Sequence, residues 1–238
     1  MSLEQTARND VVLPRLVLFD IDGTILSAGR SGLKALEQAV IEVLQAPRGL
    51  DGISLSGNTD RNVLLEISRR DGSPLPDEET IQRFVLRYAE VLRREIMGTG
   101  SLMPGIEAIL RRLSELPHVL IGLVTGNFEV GAEIKLDRFG LRHFFQVGAF
   151  GGEHHDRGEL VGMAIKRAEA KLAGSIRPEH ITMIGDTPND VKACKPWNIR
   201  SLAVATGSHP VNELESAGAT WVLPSLEASD EVLERLLG

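Results

Sequence analysis

One stretch constrains this chain more than any other. Between Leu16 and Ile25 it reads LVLFDIDGTI, an unbroken apolar run that stops at two carboxylates, Asp20 and Asp22. Leu16, Val17, Leu18 and Phe19 have no polar face, which is the pattern of a strand buried on both sides in a parallel sheet. The carboxylates then lie at its C-terminal end. In open α/β sheets that edge carries the ligand crevice, because the loops leaving the strands gather there. Taken alone, Asp22-Gly23 reads equally well as a hairpin turn between two apolar runs.

The rest of the chain favours the sheet. At 238 residues, 42% hydrophobic and 25% charged, it is long enough to bury a full core as one large α/β domain or as a domain carrying an insert. A net charge of -7 is the wrong sign for a nucleic-acid footprint. The single cysteine, Cys194, excludes an intrachain disulfide and a cysteine-based zinc site, and reads as a small buried apolar residue. No apolar run reaches membrane-spanning length and Met1 to Pro14 reads as a loose lead-in, so the expectation is a cytoplasmic protein with no membrane partner.

Periodicity places amphipathic helices at Ser31–Gln45, with Ser31 as N-cap, at Thr59–Arg70, and from Asp77 to Gly98. No strand pattern interrupts that block. It reads as a helical insert, a cap over residues 27–98, with the α/β core formed by 1–26 and 99–238. From Leu102 onward, apolar strands alternate with helices: Val119–Val124, a short strand at Gln146–Val147, Ile181–Ile184, Ser201–Ala205 and Thr220–Leu223. That alternation predicts a parallel sheet with right-handed crossovers.

Each long strand ends in a polar, glycine-containing turn. The first gives Asp20 and Asp22, the second Thr125, Gly126 and Asn127, and Ile181–Ile184 gives Gly185, Asp186 and the run to Asp190. In a parallel sheet all three turns share one edge. Like charges about 4 Å apart repel by roughly 4 kcal/mol at an effective dielectric near 20, so such a cluster calls for a cation or for protonation. Oxygen-only ligands favour Mg²⁺, a hard ion often shared with a substrate phosphate.

These residues resemble the haloacid dehalogenase superfamily, specifically its phosphatases with an α-helical cap, such as those similar to phosphoglycolate phosphatases and β-phosphoglucomutases. Asp20-Ile21-Asp22-Gly23-Thr24 resembles the first motif, Thr125 in LVTGN the second, and Gly185-Asp186 through Asp190 in IGDTPND the fourth. The resemblance implies a Rossmann-like doubly wound sheet with an inserted all-helical cap. It also implies a small-molecule phosphate ester as substrate, with Asp20 as nucleophile and Asp22 as acid and base. Mg²⁺ would be held by Asp20, the backbone carbonyl of Asp22 and Asp186, with Asp190 supporting the metal or the cation. Thr125 and Gly126 would bind the transferring oxygens. A phosphomutase is the nearest alternative; a dehalogenase or a receiver-like phospho-acceptor module fits less well. A monomer and a homodimer are both compatible.

The third motif departs from the family's common Lys-Pro pattern. Arg157, in GGEHHDRGEL, fits by position, and Lys135, on the helix after Thr125, is its rival, the other then being a solvated surface charge. Glu153, His154, His155 and Asp156 are residue types that bind zinc, but adjacent histidines in extended chain point apart. Arg30, Lys34 and Asn58, with the SGNTDR turn around the last, are candidates for meeting the non-phosphate end of a substrate.

Overall fold

A computed structural model describes residues 13–238, so most of the lead-in lies outside the described residues. Its centre is the predicted strand, β1 (Arg15–Phe19). Side chains alternate across it: Val17 and Phe19 join the apolar cluster on one face, Leu16 and Leu18 the cluster on the other. Burial of both faces is why the run carries no polar residue.

Strands β4 (Val119–Thr125), β5 (Val147–Phe150), β6 (Ile181–Gly185), β7 (Arg200–Val204) and β8 (Trp221–Leu223) complete an all-parallel sheet in the order β5-β4-β1-β6-β7-β8. The chain builds outward from β1 to one side, then returns and builds to the other. β1 therefore marks the point where the winding reverses, and its C-terminal end opens into the crevice between oppositely directed connections. The hairpin reading of Asp22-Gly23 is excluded, since both neighbours of β1 are parallel to it. The tight turn survives locally, with Gly23 N–H donating to the Leu26 carbonyl at 2.9 Å.

Between β1 and β4 the chain forms α1 (Ser31–Val43), α2 (Asp60–Asp71) and α3 (Glu78–Glu95). Thr59 caps α2 and Asp77 caps α3, each through its side chain. Ser31 is not the cap of α1. It is already inside the helix, and its hydroxyl donates to the Glu95 carbonyl at 2.9 Å, tying α1 to the end of α3. A two-stranded antiparallel ribbon, β2 (Leu26–Ser27) with β3 (Ser101–Leu102), joins the two chain crossings at the base of these helices. The apolar core is continuous from Phe19 through Ile25 and Leu36 to Phe84, so the helices pack directly on the sheet unit.

The remaining helices are α4 (Ile106–Ser114), α5 (Glu129–Arg138), α6 (Arg157–Leu172), α7 (Pro188–Cys194), α8 (Val211–Ser216) and α9 (Ser229–Leu237). Helix α7 starts inside the segment read as a turn, with Thr187 and Asp190 forming a reciprocal capping box. Cys194 on α7 is buried, and burial pushes its thiol up to about 12. Among the described residues no helix is long and apolar enough to cross a membrane.

Candidate active site

The turns after β1, β4 and β6 meet at one sheet edge. Asp20, Asp186 and Asp190 each offer a carboxylate oxygen within 4.8 Å of one another, and all three are buried. Burial first, then Asp20 and Asp190, raises Asp186 to about 8 despite Arg157. Burial also raises Asp20 to about 6, with Arg157 opposing and Asp190 and Asp22 adding. A hard divalent ion fits such a set, because the donors are all oxygen and their mutual repulsion is what an ion would relieve. The packing also keeps Asp186 in place. A Cβ on Gly207 would overlap its carboxylate, as would one on Gly23, whose φ of +85° also disfavours any side chain. Thr24 donates to it from the hydroxyl at 3.2 Å.

Asp190 takes a different position from the other two. Its Oδ2 accepts from the Thr187 N–H at 3.0 Å and hydroxyl at 2.7 Å, and its Oδ1 lies 2.6 Å from Arg157 Nη2. It is thereby committed to holding the α7 turn and the guanidinium.

Arg157 and Lys135 are both in the site, and neither is a solvated surface charge. Arg157 Nη2 lies 2.7 Å from Asp20 Oδ1. Burial pulls the guanidinium down, but Asp190 and Asp20 outweigh it and hold it above its ordinary value. Lys135 Nζ instead reaches both oxygens of Asp22, at 2.8 and 2.6 Å, and the Asn127 side-chain oxygen at 2.6 Å. The two cations thus serve two different carboxylates. Helix geometry explains the second: Lys135 sits on the buried side of α5, the helix that follows the Thr125 turn. Asn127 completes the arrangement, donating to Asp22 Oδ2 at 2.8 Å and to the Thr125 hydroxyl at 2.7 Å. The Asp22 side chain is 45% exposed, whereas Asp20 is buried, so the two carboxylates of the first motif differ in environment as well as partner.

Asp60 is the residue that sequence reasoning passed over. It begins α2, and its Oδ2 accepts the Phe128 N–H at 2.7 Å. Helix α5 has no side-chain cap of its own, so Asp60 caps it from the helical insert. Burial raises Asp60 to about 6. Around it the segment 56–61 docks on the strand-end turns: Asp60 N–H donates to the Gly126 carbonyl at 2.7 Å, Arg61 N–H to Gly151 at 3.2 Å, and the Thr59 hydroxyl to His155 at 2.9 Å. Gly126 is required by this approach, since a Cβ there would overlap the Asn58 carbonyl oxygen.

A cavity of about 350 Å³ lies between the insert and the sheet edge, lined by Asp20, Asp22, Thr125, Gly126, Lys135 and Arg157 from below. Asn58 lines it from the insert side, with its amide donating to the Ser54 carbonyl at 2.9 Å. Arg30 and Lys34 do not line it. Arg30 is exposed, and Lys34 faces Glu95 at 3.4 Å. The His154 and His155 rings do not point apart but stack, with centroids 4.6 Å apart. Neither belongs to a metal-ligating cluster among the described residues.

Known proteins share the sequence pattern and fold of this chain. The family model for haloacid dehalogenase-like hydrolases matches residues 14–196. The phosphoglycolate phosphatase of Pseudomonas putida is 24% identical over 222 residues, covering 91% of this chain and 78% of the relative. The tyrosine-protein kinase PtkA of Mycobacterium tuberculosis is 26% identical over 224 residues, covering 94% and 72%. The crystal structure of a predicted phosphatase from Clostridium acetobutylicum superposes with a TM-score of 0.65 at 24% identity, covering 94% of this chain and 100% of the other.

Proposed function

The chain belongs to the haloacid dehalogenase-like hydrolases, and from that premise we propose that it is a Mg²⁺-dependent phosphatase hydrolysing a small-molecule phosphate monoester through a phosphorylated Asp20. The observation that carries the reading is the separation of Asp20 and Asp22 onto different cations at the mouth of one cavity. A nucleophile and an acid–base group two residues apart need different surroundings, and here they have them.

In the first displacement, an Asp20 carboxylate oxygen attacks phosphorus as the bond to the alcohol oxygen breaks, and Asp22 delivers a proton to that oxygen. In the second, Asp22 takes a proton from water, the water oxygen attacks phosphorus, and the bond to Asp20 breaks to release inorganic phosphate. Arg157, fixed by Asp190, orients Asp20 and faces the phosphoryl oxygens, while Lys135 and Asn127 keep Asp22 directed at the leaving-group side. Thr125 and the Gly126 backbone contribute hydrogen bonds to the same oxygens. Asp20, Asp186 and the Asp22 carbonyl would hold Mg²⁺, which when bound offsets the charge of the transferring phosphoryl group.

Residues 27–98 act in this reading as a cap that closes the cavity through the 56–61 segment. The test is phosphate release from a panel of monoesters with Mg²⁺ and with EDTA. Release that persists in Asp20→Asn or in EDTA overturns the mechanism. Conversion of glucose 1-phosphate to glucose 6-phosphate without net phosphate release would identify a phosphomutase.

A further inference from the structure

The insert side of the cavity carries a charge pattern that bears on the substrate. Among the described residues the cavity's lining cations are Lys135 and Arg157, each already paired with carboxylates at the strand-end turns. Basic residues of the insert do not line it: Arg30, next to the lining Gly29, is exposed, Lys34 faces Glu95, and Arg61 donates to the Gly152 carbonyl at 3.1 Å and to Glu78 at 2.7 Å. The insert contributes Leu33, Leu36, Leu55 and Val63 to the lining, beside the polar Asn58 and the Asp60 carboxylate. Asp60 uses Oδ2 for the Phe128 N–H, and its Oδ1 has no hydrogen-bond partner among the described residues.

From this we propose that the leaving alcohol of the substrate bears no anionic group, packs an apolar flank against Leu33, Leu36, Leu55 and Val63, and presents a hydrogen-bond donor to Asp60. The inference rests on the phosphatase reading and narrows it. A second carboxylate or phosphate on the substrate would meet, among the described residues, no lining cation that is not already paired with a carboxylate, and would face a like charge at Asp60, an unfavourable juxtaposition. An amino or hydroxyl group at the same place donates a hydrogen bond to Asp60 Oδ1. The phosphoglycolate named for the Pseudomonas putida relative carries the group this pocket is built against.

The experiment compares kcat/KM of the full chain with Mg²⁺ for ethanolamine phosphate, glycerol 3-phosphate, phosphoglycolate and 3-phosphoglycerate. The expected result is a preference of more than about tenfold for the first two over the two carboxylates. Leu33→Arg, which places a cation on the cavity wall, should narrow or reverse that ratio by raising turnover of phosphoglycolate. Asp60→Asn, which keeps an acceptor for Phe128, should reduce selectivity for ethanolamine phosphate over phosphoglycolate. Hydrolysis with phosphoglycolate or 3-phosphoglycerate preferred refutes the inference and leaves the phosphatase reading standing. Equal turnover of all four also refutes it. Hydrolysis of none, together with none of generic monoesters, refutes the phosphatase reading and removes this inference with it.

Discussion

Without metal, the protein should lose stability as pH rises from 5 to 7. The perturbation is a pH series of urea denaturations in EDTA, repeated with Mg²⁺. Asp186 is raised to about 8 and Asp20 and Asp60 to about 6, chiefly by burial. An unfolded aspartate titrates near 3.9, so across this window the folded state holds more protons than the unfolded one. Stability then falls with rising pH, at about 1.4 kcal/mol per unit for each group still protonated in the folded state. Asp186 loses this over the whole window and the other two over roughly its lower half. Together they remove about 5 kcal/mol between pH 5 and 7, a large share of the 5–15 kcal/mol typical of a domain.

Carboxylates such as Asp71 and Asp77 do not mask the effect. Hydrogen bonds from Arg70 and Thr80 lower them, so their stabilisation is lost only below pH 5 as they protonate. Mg²⁺ at a hundredfold excess over its dissociation constant adds about 2.7 kcal/mol wherever its ligands are ionised, and less where protons compete. The gain from Mg²⁺ should therefore be larger at pH 8 than at pH 5. In Asp186→Asn both the slope in EDTA and the Mg²⁺ gain should shrink. Stability that is flat or rising between pH 5 and 7 in EDTA would refute the reasoning, as would a Mg²⁺ gain independent of pH.

Other substitutions separate the parts of the site. Asp20→Asn should lower phosphate release by about three orders of magnitude or more while leaving the fold intact by circular dichroism. Arg157→Met leaves Asp20 and Asp190 buried without their partner and should destabilise by about 3–5 kcal/mol in denaturant titrations at neutral pH. Gly126→Ala forces a Cβ into the Asn58 carbonyl and should cost about 1–3 kcal/mol, with greater protease cleavage in the 56–61 segment.

Much of the fold was legible because burial leaves an unmistakable pattern. β1, β4 and β6 lie between covered faces, and their sequences are correspondingly continuous apolar runs. β2 and β3 escaped because two residues form no period. Helix α7 escaped because its capping box uses the same Thr, Asn and Asp residues that mark turns. In the site, the acidic residues at strand ends could be read from topology alone. The assignment of Arg157 to Asp20 and Lys135 to Asp22 could not, since it depends on how α5 and α6 are rotated against the sheet. Asp60 was hidden for a related reason: its partner lies in another element, and the local trace is that α5 follows Phe128, an N-cap residue with no capping side chain.

That hidden contact ties the insert to the chemistry. The turn after β4 supplies Thr125 and Asn127 to the site, and the same turn accepts the Asp60 N–H at Gly126 and donates the Phe128 N–H back to the Asp60 carboxylate. Two reciprocal bonds thus join the start of α2 to the start of α5, the helix that carries Lys135. Lifting the insert would break both and leave α5 uncapped, at a cost of about 1 kcal/mol for the cap alone. In the proposed mechanism, movement of the insert would reach Asp22 through α5 and Lys135. Asp60→Ala should accordingly lower kcat as well as raise KM, whereas a residue that only lines the far wall would change KM for particular alcohols. Unchanged kcat in Asp60→Ala would show that the insert and Asp22 are independent.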